Sequence, residues 1–134
     1  MLYFAKEVNA DLISQNDRDL AYIESVYVPS TPTPVPRVVP RWTHCSCVNV
    51  AKSLTGYDKI VGAAKNWPVN SDKPVVGGVV ITKESYYGHV AQIIEVREDS
   101  IILREGNFKP CQFTNGRELK LDNTKILGFW NPDL

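Results

Sequence analysis

Five of the nine prolines fall within one stretch, PSTPTPVPRVVP, residues 29–40. Each pyrrolidine ring fixes φ and removes a backbone donor, so neither a helix nor a central strand can run through such a segment. The run favours extended polyproline II and reads as a stiff spacer between an N-terminal arm, 1–28, and a body, 41–134. Within the arm, residues 16–28 could begin as a helix and finish as the strand Ser25-Val26-Tyr27-Val28. An arm this short is too small to be stable alone and is expected to dock on the body or on a protein partner.

The body shows a clear order of elements. From Cys47 to Leu54, apolar Val48, Ala51 and Leu54 recur at helical spacing, and Thr55-Gly56 supplies a stop. A second, weaker helix is expected over Asp58–Asn66, ending before Trp67-Pro68. Strands follow at Gly78–Thr82, His89–Val96, Ser100–Glu105, a short one near Glu118–Leu121, and Lys125–Trp130. Helices followed by a run of antiparallel strands means an α+β fold, and no internal repeat is visible. Lys+Arg and Asp+Glu balance at 15 each, which gives no basic footprint for nucleic acid. No apolar run approaches the ~20 residues that cross a bilayer. The opening MLYFAKEVNADLISQ lacks a basic region followed by an apolar one, so no signal peptide is expected.

The chemistry concentrates in RWTHCSCVNVAKSLTG, residues 41–56. Three cysteines, Cys45, Cys47 and Cys111, are an odd number, which argues against a disulfide framework and leaves at least one thiol free. Whether Cys45 pairs with Cys111 is not readable from the sequence. His44, Cys45, Cys47 and Cys111 are zinc-type ligands, but Cys-x-Cys is tighter than the usual spacing and adjacent His44 is awkward, so neither metal nor cofactor is expected. Cys47 stands in the first turn of the helix, where free N–H groups and the dipole favour an anion; a thiolate there has a lowered pKa. Cys45, two residues earlier, is the rival nucleophile and misses that position.

The partners come from the hairpin HVAQIIEV (89–96) and SIILREGN (100–107). If its turn takes three residues, Arg97-Glu98-Asp99, odd positions oppose odd. His89 then faces Asn107, and Glu105 lies opposite Ala91, one diagonal step from the imidazole. A one-residue change in the loop would separate them onto opposite faces. A thiolate, an imidazole and a carboxylate or amide are the parts of a Cys–His hydrolase. His89 would exchange the proton, Glu105 or Asn107 would hold its other nitrogen, and the N–H of Cys47 would be one oxyanion donor. Taken singly, each residue has a plainer reading: Cys47 a small buried hydrophobe, His89 a bonded core histidine, Glu105 a solvated strand end, Asn107 a turn residue.

Together, Cys47 opening a helix, the KPVVGGVVIT step, Gly88-His89-Val90-Ala91, Glu105-x-Asn107 and the closing ILGFW resemble the CHAP domain over about residues 44–131. That family comprises cysteine- and histidine-dependent amidohydrolases/peptidases of the papain-like class. The resemblance implies a papain-like fold, with N-terminal helices packed on an antiparallel sheet. It implies Cys47 as nucleophile, His89 as base, Glu105 as the group orienting the imidazole and Asn107 as a supporting polar residue. It further implies hydrolysis of an amide bond in bacterial peptidoglycan through a thioester, as endopeptidase or amidase, often within phage lysins and tail proteins. The family often has a Gly-Gln-like pair before the nucleophile, where this chain has Cys45-Ser46; Ser46 is then the candidate for a second oxyanion donor. No acidic calcium loop is visible, and no wall-binding module follows before Leu134. Among the aromatics Trp42, Trp67, Tyr86, Tyr87 and Trp130, the expected substrate contacts are Tyr86, Tyr87 and Trp67. Expected settings are a virion, with the arm tethering the domain to a larger assembly, or release to the cell wall. An inactive structural or binding module, a free endolysin and a protein-cleaving cysteine peptidase are the alternatives.

Overall fold

The structure, a computed structural model, describes residues 32–134. The arm 1–28, its helix-to-strand reading and the first residues of the spacer lie outside the described residues. Thr33–Leu134 forms one compact unit. Within the proline-rich stretch, the Pro34 carbonyl accepts a hydrogen bond from Arg104 Nη1 at 2.9 Å, and the Arg37 guanidinium lies against Gly56.

After a short 3-10 turn at Arg41–Thr43, helix α1 spans Cys47–Thr55. Ser46 caps it, its Oγ accepting from Asn49 N at 3.2 Å, and Gly56 ends it in a left-handed conformation, in keeping with the stop expected at Thr55-Gly56. Val50, Ala51 and Leu54 form the buried face. The second expected helix is absent: only a 3-10 turn at Ala64–Asn66 forms within Asp58–Asn66. Gly62 takes φ 73° in the middle of that stretch, and Lys65 N donates to Tyr87 O at 2.9 Å, a partner outside any helix.

Five antiparallel strands make one sheet: β1 Val79–Thr82, β2 His89–Val96, β3 Ser100–Gly106, β4 Phe113–Lys120 and β5 Ile126–Trp130, in the order β4-β3-β2-β1-β5. One helix and a predominantly antiparallel sheet make the body α+β. Helix α1 packs on β2 and β3. Its close approach depends on Gly106, where a Cβ would collide with the Val50 side chain. Two apolar clusters hold the sheet. Ala51, Val61, Ala64, Trp67, Val79, Ile81 and Val90 form one; Val80, Ala91, Ile93, Ile101, Leu103, Leu119 and Phe129 form the other. Each large side chain so buried contributes roughly 1.5–3 kcal/mol. Among the described residues, no helix is long and apolar enough to cross a membrane.

Two strand features depart from the expectation. β4 runs from Phe113, well before the expected Glu118, because it is an edge strand in which only Leu119 is buried, so its alternation is faint. The turn between β2 and β3 is shorter than three residues: Arg97 N donates to Ser100 O at 2.8 Å, leaving Glu98-Asp99 as the reversal. That turn alone would set odd residues against even. A bulge at Ile94 restores the register, from Glu95↔Ile102 to Ile93↔Leu103 and Gln92↔Arg104. The odd-to-odd pairing that matters for His89 and Glu105 therefore holds, by a different device.

Candidate active site

Cys47 occupies the first turn of α1, half-buried, and is the one free cysteine among the described residues. Cys45 and Cys111 are joined in a disulfide, so neither is available as nucleophile or zinc ligand. The bridge ties the segment preceding α1 to the loop following β3. No group of three or more His, Cys, Asp and Glu side chains among the described residues is placed to hold a metal ion.

His89 opens β2, is 7% exposed, and pairs with Thr82 of β1; the β2–β3 ladder stops at Gln92↔Arg104. Beyond that point side chains bridge the two strands. His89 Nε2 hydrogen-bonds Glu105 Oε1 at 2.8 Å, and Glu105 is 1% exposed. The other side of the imidazole serves the nucleophile: Cys47 and His89 line the same cleft and perturb each other's ionisation, and with Nε2 taken Nδ1 is the nitrogen left for the thiol. The preceding Gly88 has φ 80°, and a Cβ there would lie 2.7 Å from Lys65 N, so the wall at residues 63–66 reaches the start of β2 only because this position is glycine.

The electrostatics follow from these contacts. Burial opposes ionisation of the Cys47 thiol, but its bond to His89, the imidazolium charge and the backbone N–H groups of Val90 and Val48 outweigh burial and hold its pKa below the usual value. Burial likewise disfavours the imidazolium, yet Cys47 and Glu105 together raise the His89 pKa to about 9. The Glu105 carboxyl would be pushed up by burial; His89 and Arg117 pull it below the usual range. These contacts favour a thiolate–imidazolium pair backed by a carboxylate.

Asn107 does not hold the imidazole; Glu105 does. With φ 61°, Asn107 turns the chain out of β3, and its Oδ1 accepts from Cys111 N at 2.7 Å, shaping the loop that carries the disulfide. It still lines the space beside Cys47. Ser46 Oγ is engaged as the helix cap, while the N–H of Cys47 takes no backbone carbonyl among the described residues. Two clefts meet at the nucleophile. One is lined by Glu84, His89 and Phe108; the other by Gly62, Ala63, Ala64 and Tyr87; Cys47, Ser85, Gly88 and Asn107 belong to both. Tyr87 and Tyr86 are exposed on that rim, edge to face at 5.0 Å, with Lys65 Nζ 4.3 Å from the Tyr86 ring. Trp67, expected to touch substrate, is instead 2% exposed, packed against Tyr57 and Trp130 in the core. The buried Trp67 cannot reach a ligand in the groove.

Several residues escape a reading of the sequence. Arg117 of β4 grips Glu105 with Nε to Oε2 at 2.9 Å and Nη2 to Oε1 at 2.7 Å. Glu84 meets the same guanidinium at 3.3 Å, and Phe108 lies beneath it, 3.6 Å from the ring centroid to Cζ. The only sequence signal for Arg117 is its place in a polar strand too weakly patterned to fix a register.

Against known proteins, the family model of the CHAP domain matches residues 38–107. That match spans more than half of the chain and includes Cys47, His89, Glu105 and Asn107. The chain therefore belongs to the CHAP domain family. No curated protein matches it.

Proposed function

We propose that this CHAP domain is a cysteine-dependent peptidoglycan hydrolase, an endopeptidase or amidase, of papain-like mechanism. The observation that carries the reading is the series Cys47–His89–Glu105 at a helix N-terminus, the imidazole bonded to Glu105 and sharing a cleft with the thiol, open to a groove on both sides. The Cys47 thiolate attacks the carbonyl carbon of an amide, and the N–H of Cys47 receives the developing oxyanion. The His89 imidazolium then gives its proton to the leaving amine, and the C–N bond breaks to leave a thioester. The neutral imidazole takes a proton from water as the water oxygen attacks the thioester. Collapse releases the carboxylic acid and restores the thiolate–imidazolium pair. Glu105 keeps Nδ1 directed at sulfur throughout. Tyr87, on the cleft lining, and Tyr86 beside it are the proposed contacts for a bulky wall fragment. Asn107 acts by shaping the groove; Ser46 stays available to donate its hydroxyl proton toward the oxyanion. Delivery to the wall would fall to residues 1–28 docking on a larger assembly, such as a phage tail, and the alternative of release as a free lysin differs only in that step.

The test is digestion of purified sacculi of several wall types by the wild type and Cys47→Ala, with released fragments read by mass spectrometry. Fragments from the wild type alone establish the nucleophile and the scissile bond. Silence from both on every wall overturns the hydrolase reading.

A further inference from the structure

Arg117 lies outside the residues matched by the family model, on the edge strand β4, yet its guanidinium meets Glu105 at 2.7 Å, as closely as the imidazole does at 2.8 Å. Its position depends on a second bulge. The β3–β4 register runs Leu103↔Arg117 and then Arg104↔Asn115, so Gly116, at φ 114°, is the extra residue. Paired with Leu103, Arg117 shares the sheet face of Glu105, two residues along β3. The fork reaches both carboxylate oxygens, and Oε1 receives Arg117 Nη2 and His89 Nε2 together. On the far side the same guanidinium is steadied by Glu84, whose Oε1 accepts from Thr82 Oγ1 at 3.1 Å, and by the Phe108 ring beneath it.

We propose that Arg117 is a positioning residue: it locks Glu105 in the rotamer that aims Oε1 at His89, and it supplies the cation that lets two anions share one imidazolium. Two titratable groups bear on Glu105 directly, His89 of β2 and Arg117 of β4, and two more stand behind them: Cys47 of α1 beside His89, and Glu84, before β2, on Arg117. With Arg117 in place, a thiolate, an imidazolium, a guanidinium and the carboxylates of Glu105 and Glu84 carry a net charge of −1 beneath the groove. Without it, that set carries −2, and the first proton to return goes to the thiolate. A planar fork matters as well as the charge, because a single ammonium cannot hold two carboxylate oxygens at fixed angles.

This inference rests on the thiol-hydrolase reading, so its test includes a readout that needs no wall substrate: the rate of Cys47 alkylation by iodoacetamide against pH. Arg117→Met is expected to move the acid limb of that profile up by about one pH unit or more, the scale of losing a neighbouring opposite charge. Arg117→Lys restores the limb to within a few tenths of a unit. On a wall substrate, kcat falls about 10-fold or more in Arg117→Met, with partial recovery in Arg117→Lys and KM little changed. A merely structural arginine would lower Tm in both variants without separating their acid limbs. Should Arg117→Met fail to fold, Arg117→Lys decides: wild-type kcat with a wild-type alkylation profile would overturn the positioning role. So would a folded Arg117→Met with both unchanged. Shifted alkylation without wall cleavage by any form would sink the hydrolase reading and leave the role of Arg117 standing.

Discussion

Two Glu–Arg pairs at opposite ends of the β2–β3 hairpin make nearly the same bond. At the turn end, Glu95 and Arg97 meet at 2.8 Å with side chains 42% and 49% exposed. At the open end, Glu105 and Arg117 meet at 2.7 Å with side chains 0% and 19% exposed. The geometry does not distinguish them; the solvent does. Water and salt screen the outer pair, and ordering two long side chains costs about what their attraction returns. The inner pair has given up its hydration, so each member depends on the other and on His89. A carboxylate held in that way can be a part of a mechanism. One that water can satisfy cannot.

The largest expected difference is in turnover. Glu105→Gln keeps the size of the side chain but removes the charge that supports the imidazolium, and kcat/KM is expected to fall about 100-fold or more. Glu95→Gln should stay within about twofold. Both are read from the rate of fragment release from sacculi. Equal losses in the two variants would break the comparison outright, since distance alone would then decide the worth of a pair.

The pH dependence sharpens it. The proposed mechanism requires the Cys47 thiolate and the His89 imidazolium together, so activity is expected to rise as the lowered Cys47 pKa is passed and to fall as pH rises through about 9, where the imidazolium is lost. Glu105→Gln should draw the alkaline limb down by one unit or so, whereas Glu95→Gln should leave it in place. An alkaline limb that stays near 9 in Glu105→Gln would assign the raised His89 pKa to Cys47 alone.

The inner site is partly legible in the sequence because its residues obey strong local rules. Cys47 is found at a helix start because the apolar stripe and the Thr55-Gly56 stop mark one short stretch; the Ser46 cap is seen only in the structure. His89 and Glu105 are found because β2 and β3 are long, apolar and adjacent. A three-residue turn would make them face each other, but no such turn exists; a two-residue turn and the Ile94 bulge together give the same parity. Bulges leave little trace in composition, so the error and its cancellation are both invisible there. Arg117 escapes for the same reason, since Gly116 shifts its register inside a strand in which only Leu119 is buried. Trp67 goes to the core rather than the groove because an indole serves either equally well in sequence. The Cys45–Cys111 bridge spans 66 residues, and only the fold brings its ends together.

Stability gives the most direct view of burial. The folded-state pKa of Glu105 is depressed, so its contribution is present above the usual carboxylate value and is lost as pH falls through the depressed one. His89 is raised from 6.5 to about 9, so its contribution is complete below 6.5 and is lost as pH rises through about 9. The stability difference between wild type and Glu105→Gln should therefore be greatest in mildly acidic solution, on the order of 3 kcal/mol for a buried pair left half-made. It should shrink toward strong acid as Glu105 takes up its proton, and again above pH 9 as His89 loses its own. Glu95→Gln, with both partners bathed in water, should unfold with the wild type at every pH. Chemical denaturation of the three proteins at pH 3, 6 and 10 checks this. A difference for Glu105→Gln that is flat across the series would mean that the carboxylate contributes packing rather than charge, and the contrast between the two pairs would then lie in shape and not in solvent.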